Sequence, residues 1–431
     1  MALPSRQWAE SAMYARIHHL LDGSRDGTVL DRRRIGFAAA ILLAIQLAVF
    51  AFIIAGTHGW IVPAEGRTTT DFVSFYAAGA LADAGTPALA YNQAAHLAAE
   101  EQVAGAGIGY QYFNYPPVYL LLCAILAKLP YLVSFVLFET VTLLLYLIVA
   151  ARILGDRSAV TLTVLLAFPI VFWNLGLGQN AFLSAALFGG ATLLLERRPA
   201  IAGILLGALC YKPQLGVLVP FALIAGGEWR AFIGATASVV LLVLASLALF
   251  GSATWLAFLN TAGDAHTIYE SGRISFGGMA NSFGAARLLG ASAPFAYAAQ
   301  AAASVLAAAV VVTAWRRRPT LPTRAVMLLA GALVAAPLSL LYDLMLGVIA
   351  AAWLVRDRAS PAAAPWESVA LALLYMVLLC GRGVPENWHI PVFPLAALGL
   401  FAIAIARMWR ETASRGITKN ETAARATLTS T

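Results

Sequence analysis

The sequence predicts an all-α protein that crosses a membrane many times, with about ten full spans and two short or re-entrant hairpins between them. Three observations carry that prediction. First, 61% of the 431 residues are hydrophobic and only 11% are charged, with a mean hydropathy of +0.80, whereas an ordinary soluble domain carries about 25% charged residues. Second, apolar runs recur along nearly the whole chain at close to the roughly 20 residues a helix needs to cross ~30 Å of hydrocarbon. Third, arginines crowd the short turns between those runs, while the two long polar stretches are nearly free of them, as expected of cytoplasmic and outer loops respectively.

Taken in order, residues 1–34 form a basic segment ending in Arg32, Arg33 and Arg34, expected on the cytoplasmic side. The run at 35–57 is too long for a cleaved signal-peptide core and reads as a retained first span. Residues 57–114 make a first outer loop with one basic residue, Arg67, and helices of amphipathic spacing. Residues 251–290 make a second outer loop with Arg273 and Arg287. The turns at Arg152/Arg157, Arg197/Arg198, Arg230, Arg316–Arg318/Arg324 and Arg356/Arg358 fall on the cytoplasmic side with both termini. That assignment requires 116–130 and 199–226 each to enter and leave by one side. The first would dip in from outside and return; the second, broken at Lys212-Pro213, would be a hairpin with Lys212 near its outer apex. Two short full spans are the alternative for each.

The remaining spans are expected near 131–151, 159–175, 179–195, 231–250, 293–314, 325–338, 341–355, 366–380 and 391–408. The membrane domain thus covers 35–408, and 409–431 is a polar cytoplasmic tail expected to be disordered. Cys123, Cys210 and Cys380 sit within apolar runs and read as packing residues rather than a disulfide framework or metal site. The net charge of +7 follows from basic cytoplasmic turns and calls for no nucleic-acid partner. No inverted internal repeat is visible.

In this topology most ionisable and amide side chains outside the basic turns fall at the outer level. Asp71, Tyr76, Asn114, Tyr115, Gln179, Asn180, Lys212, Asn281, Tyr342, Asp343, Arg382, Glu386, Asn387 and His389 are the set. Polar groups at such positions cost free energy unless paired or hydrated, so their convergence marks a functional cavity. Asp71 precedes a segment whose Phe72, Phe75, Tyr76, Gly79 and Ala80 share one helical face, and it is either a reactive carboxylate or a helix N-cap. Lys212 must meet an anion, whether a lipid phosphate or the carboxylate of Asp343 or Asp71. Arg382 has a donor fork suited to phosphate. Gln179 and Asn180 offer amides to sugar hydroxyls or to a helix start, and Glu139, near mid-bilayer, reads as an interhelical hydrogen-bonding group.

In these residues the chain resembles glycosyltransferase family 87, the polyprenyl-phosphate-sugar-dependent group with the GT-C membrane fold. The resemblance rests on Asp71 ahead of an aromatic and small-residue stretch to Gly85, then Pro87 to Asn92, on Tyr115-Pro116-Pro117, on Gly178-Gln179-Asn180, and on Gly203 to Pro213 ending in Tyr211-Lys212-Pro213. It implies inverting transfer of a hexose, often mannose, from a polyprenyl-phosphate donor to a lipid or glycan acceptor. The enzyme would lie in a bacterial inner (plasma) membrane with its site facing the periplasm or exterior. Asp71 would be the general base. Lys212, Tyr76, Tyr115, Gln179, Asn180, Tyr342, Asp343, Arg382 and His389 would bind substrate, with no metal and no cofactor. The stretch from Ala336 to Asp343 departs from the family pattern, where Trp and His are frequent. A transporter with an outward-facing polar cavity is the competing reading, although apart from Glu139 the inner halves of the spans hold almost no ionisable residues. A non-catalytic scaffold, the third, would be indifferent to Asp71→Asn.

Overall fold

The computed structural model describes residues 32–56, 62–64, 66–68 and 70–428, and helix dominates throughout. All but the last three residues of the basic leader lie outside the described residues. A two-stranded hairpin, Val62–Ala64 against Gly66–Thr68, and a single bridge between Met279 and Leu340 are the strand pairing among the described residues.

Five helices are long and apolar enough to cross a bilayer, at Arg32–Phe52, Tyr131–Leu154, Trp229–Glu270, Ala293–Arg317 and Val392–Ser414; Ala159–Leu166 and Pro169–Leu177, bent by 56°, make a sixth if counted as one span. The bend falls at Pro169, which lacks an N–H and crowds the preceding turn. Phe37, Phe52, Leu241, Leu249, Val305 and Leu306 stand exposed on the long helices, an apolar belt whose natural solvent is lipid. The other four expected spans are shorter: Ala181–Leu194 has 14 residues, Leu321–Ala335 has 15, and Met345–Arg356 and Glu367–Leu378 have 12 each. At 1.5 Å per residue these reach only about 18–22 Å. For Leu321–Ala335 the surroundings explain it. Leu321–Ala335 is buried without interruption from Thr323 onward, and a helix enclosed by protein can end inside the bilayer because its neighbours satisfy its terminal groups.

The 199–226 segment runs up and down. Arg324 ties its two feet together, binding Glu196 and Glu228 at 2.8 Å each, and the chain breaks far from both, at Lys212 (φ −125°, ψ 69°). Its first arm, Pro199–Ala208, crosses Trp229–Glu270 at backbone contact. An added Cβ would lie 2.0 Å from the Ala231 oxygen at Gly203, 2.3 Å from the Ala235 oxygen at Gly207 and 2.4 Å from the Ala200 oxygen at Gly234. This small-residue seam lets two backbones approach where no hydrophobic drive joins helices in lipid.

The 116–130 segment does not dip and return. It holds one helix, Pro117–Ala127, which Pro116-Pro117 open and Pro130 follows. That helix crosses Phe72–Asp83 at Gly79, where a Cβ would meet the Cys123 oxygen at 2.1 Å. Phe72–Asp83 is accordingly an internal helix rather than an interfacial one, burying Phe72, Val73, Phe75, Ala77 and Ala78. Likewise the second outer loop is partly helical, because Trp229–Glu270 kinks at Gly251 (φ 77°, ψ 166°) and continues. The tail is not disordered where described. Helix Val392–Leu428 runs on without a proline to stop it, and Glu411 accepts the Thr320 N–H at 2.8 Å and the hydroxyls of Thr320 and Thr323. Cys123 is buried as a packing residue, but Cys380 is exposed.

The basic turns hold one another at a single level. Arg32 pairs with Asp156 at 2.6 Å, Arg356 donates to the Ile153 oxygen at 2.7 Å, and Arg407 pairs with Asp357 at 2.9 Å and Glu367 at 2.7 Å. Helix Tyr131–Leu154 ends at this level. It begins about 36 Å away, where the Tyr131 hydroxyl lies 3.3 Å from that of Thr70. The Asp71 segment and the arginine turns therefore occupy opposite ends of the helical body.

Candidate active site

Asp71 directly precedes helix Phe72–Asp83, yet its side chain makes no capping bond. Instead the carboxylate Oδ2 accepts from Gln179 Nε2 at 2.7 Å, and the Asp71 N–H donates to the Leu177 oxygen at 2.8 Å. The turn that presents Gln179 depends on Gly178 in the left-handed region (φ 64°), packed so closely on Phe72, Phe135 and Thr70 that a Cβ would come within 3.0–3.2 Å of them. Burial raises the Asp71 carboxyl above its ordinary range, opposed by the Gln179 hydrogen bond and by the positive charges of Arg382 and Lys212.

Asn174 builds the turn and had no distinguishing signal in the sequence beyond lying five residues before Gln179 in an otherwise apolar stretch. Its amide donates to the Gln179 oxygen at 2.9 Å and to Glu139 at 3.4 Å, while its oxygen accepts the Ala181 N–H at 3.1 Å. Asn174 thus serves the start of helix Ala181–Leu194, which leaves Gln179 and Asn180 free of that duty. Glu139 is the interhelical hydrogen-bonding group its position suggests. Gln179 also accepts from the Tyr115 hydroxyl at 3.3 Å. The Asn180 amide is fully buried, and its side chain faces the buried hydroxyls of Tyr115 and Tyr119.

Lys212 pairs with Asp343 at 2.8 Å, both nearly inaccessible, and its ammonium lies 4.8 Å from the centre of the Tyr342 ring. Asp343 in turn accepts the Leu340 N–H at 3.0 Å. Of the two anions considered for Lys212, the structure supplies the protein's own carboxylate. Tyr211 stacks on Tyr119 (5.1 Å, 20°), and its hydroxyl lies 2.7 Å from that of Ser184. Tyr119, Tyr211 and Ser184 complete the wall from positions that read as ordinary apolar-helix residues. Arg382 is half-exposed and bonds Glu386 at 3.0 Å. Its loop is set by Gly381 (φ 53°), where a Cβ would press on Trp173 at 2.7 Å.

Not every outer-level residue joins. Tyr76 donates to the Leu129 oxygen at 2.8 Å and packs edge-on against Tyr131. His389 is exposed, in the left-handed region (φ 56°) at the end of helix Gly383–Trp388. Asn281 caps helix Ser282–Leu288 and donates to the Pro337 oxygen at 2.7 Å. What gathers is Asp71, Tyr115, Gln179, Asn180, Tyr342 and Arg382, with the Lys212–Asp343 pair behind them. Chemically this is a half-buried carboxylate held by an amide, beside a half-exposed guanidinium and a wall of buried amide and phenol groups.

Comparison with known proteins gives one match: the model of glycosyltransferase family 87 fits residues 113–341, a little over half the chain. The matched stretch contains Tyr115, Asn174, Gln179, Asn180 and Lys212; Asp71 precedes it and Arg382 follows it. No curated protein and no solved structure matches the chain.

Proposed function

The chain belongs to glycosyltransferase family 87, a membrane glycosyltransferase, and from that premise we propose that it moves a hexose from a polyprenyl-phosphate donor to a lipid or glycan acceptor, with inversion, at the outer membrane face. The observation that carries the reading is the Asp71 carboxylate, turned away from its own helix and held by Gln179. With Oδ2 occupied, Oδ1 is the oxygen for an acceptor hydroxyl. As that hydroxyl attacks the anomeric carbon its proton passes to Asp71 and a new C–O bond forms. The bond from the anomeric carbon to the phosphate oxygen breaks, its electron pair leaving with the polyprenyl phosphate. Burial makes Asp71 a stronger base than a solvated carboxylate, which favours the proton transfer. Arg382 is the cation open to the departing phosphate, since Lys212 is neutralised by Asp343. The Lys212–Asp343 pair is assigned to holding the Tyr342 wall in place. Arginine-rich turns at the opposite end of the body favour a site on the exoplasmic side of the inner membrane.

The test is turnover of radiolabelled polyprenyl-phosphate mannose and glucose in membranes carrying wild type or Asp71→Asn. Loss of the general base should lower transfer by about 10²–10⁴-fold. Equal turnover by the two proteins would remove Asp71 from the chemistry.

A further inference from the structure

A polar cavity of about 300 Å³ lies between the two outer loops, apart from Asp71 and Gln179; Tyr91, Tyr110, Tyr112, Asn114, Asn260 and Arg273 line it. Its size is at the lower end for small-molecule pockets, enough for a sugar ring with some water. Its chemistry is that of a site for a neutral polyol: aromatic faces for C–H edges, and amides that can both donate to and accept from hydroxyls. Its one guanidinium is engaged, donating to the Tyr112 hydroxyl at 3.2 Å.

The walls are built. Thr261, on the helix beyond the Gly251 kink, donates to the Tyr91 oxygen at 3.2 Å, and Phe258 packs on the Tyr91 ring at 5.7 Å. The loop carrying Tyr110 to Asn114 is fastened from behind by a buried pair. His96 Nε2 donates to the Ser74 oxygen at 3.1 Å, Glu100 accepts the Gln111 N–H at 3.1 Å, and the His96 ring meets Tyr110 edge-on at 5.6 Å. Phe113 of the same loop contacts Tyr115 at 5.6 Å, and Tyr115 is the residue whose hydroxyl reaches Gln179. The cavity is thus one aromatic ring removed from the residues that hold Asp71. Arg382, the cation open to the donor phosphate, does not line this cavity and acts instead on Asp71.

Resting on the glycosyltransferase reading above, we propose that this cavity is the acceptor subsite and binds a saccharide unit next to the one bearing the attacked hydroxyl. The acceptor is then a glycan or glycolipid of at least two linked sugars, and the reaction elongates an existing saccharide. The donor sugar does not enter this cavity.

Saturation-transfer NMR on the full-length protein in lipid nanodiscs, with mannobiose, maltose and cellobiose as probes and octyl phosphate as the anionic control, tests this. At least one disaccharide should receive saturation from wild type and equally from Asp71→Asn. Tyr112→Ala and the exposed Asn260→Ala should each weaken that binding about tenfold or more. Absence of disaccharide binding to wild type overturns the proposal. So does binding that survives both substitutions, or a site where Arg273→Ala abolishes octyl phosphate binding and no sugar competes. Because binding here is read without turnover, its failure leaves the Asp71→Asn transfer assay to stand or fall alone.

Discussion

Replacing Gln179 with Leu removes the one hydrogen bond that the Asp71 carboxylate receives from a side chain among the described residues, a 2.7 Å contact to Oδ2. A hydrogen bond to a charged group is worth about 1.5–3 kcal/mol, and each pKa unit corresponds to about 1.36 kcal/mol. Losing the bond therefore raises the Asp71 carboxyl further, in the direction in which burial has already lifted it. The sign follows from the role. A general base works deprotonated, so transfer is lost as pH falls through its pKa, and the acid limb of the rate profile should move to higher pH. The plateau at high pH should fall by less than about tenfold, the equivalent of one hydrogen bond of positioning. Tyr115→Phe is the control: it removes the other contact to Gln179, at 3.3 Å, without touching Asp71, and should leave the limb where it is. Initial rates of donor turnover across pH, with both substrates saturating, make the measurement. A plateau loss in Gln179→Leu with an unmoved acid limb would refute the assignment of Asp71 as the base.

Three further outcomes follow from the packing. Lys212→Met leaves Asp343 buried and unpaired, which costs about 3–5 kcal/mol; in the double variant Lys212→Met/Asp343→Asn most of the thermal stability should return, because Asn still accepts from Leu340. Gly207→Val drives a side chain into the Ala235 oxygen and should lose about 1–3 kcal/mol or more, read as a lower yield of monodisperse protein in detergent, whereas Gly216→Ala, whose added Cβ meets nothing within 4 Å, should not. Burial pushes Glu100 up to about 8 and His96 down to about 4, so both are uncharged at neutral pH. Stability is then lost as pH rises from 4.5 toward 8, where unfolding lets Glu100 ionise, and as it falls from 6.5 toward 4, where unfolding lets His96 protonate. Glu100→Gln should flatten the alkaline side of a thermal-unfolding series and leave the acid side.

The sequence carries the helical membrane architecture and the placement of arginines at one level because both are compositional. Turn chemistry was legible where proline enforces it, at Lys212-Pro213 and around Pro116 and Pro130. Helix length was not. Leu321–Ala335 is as apolar as a lipid-facing span, and only its complete enclosure by neighbours shows why it need not be long enough to cross. Asp71 was visible as a carboxylate ahead of a helix, but that its side chain leaves this helix uncapped and meets Gln179 depends on the turn Asn174 builds, which is tertiary contact. For Tyr76 and His389 the level was right and the direction was not, since rotation about a helix axis is decided by the neighbours and not by sequence spacing. The alternative partner for Lys212 could be named in advance because few anions were within reach of that level.

The ion pair at the apex of the broken hairpin joins residues separated by 131 positions. During synthesis the lysine therefore reaches the bilayer well before its aspartate exists, and an unpaired lysine at a helix centre costs about 2.5–3.5 kcal/mol to insert. The nascent hairpin is then expected to linger at the interface or beside the translocation machinery until the C-terminal third arrives, which makes final assembly of this wall a late, post-insertion event. A chain truncated before Asp343 should accordingly be recovered as a substrate for membrane quality control, with the 199–226 arms accessible to protease from the side they entered.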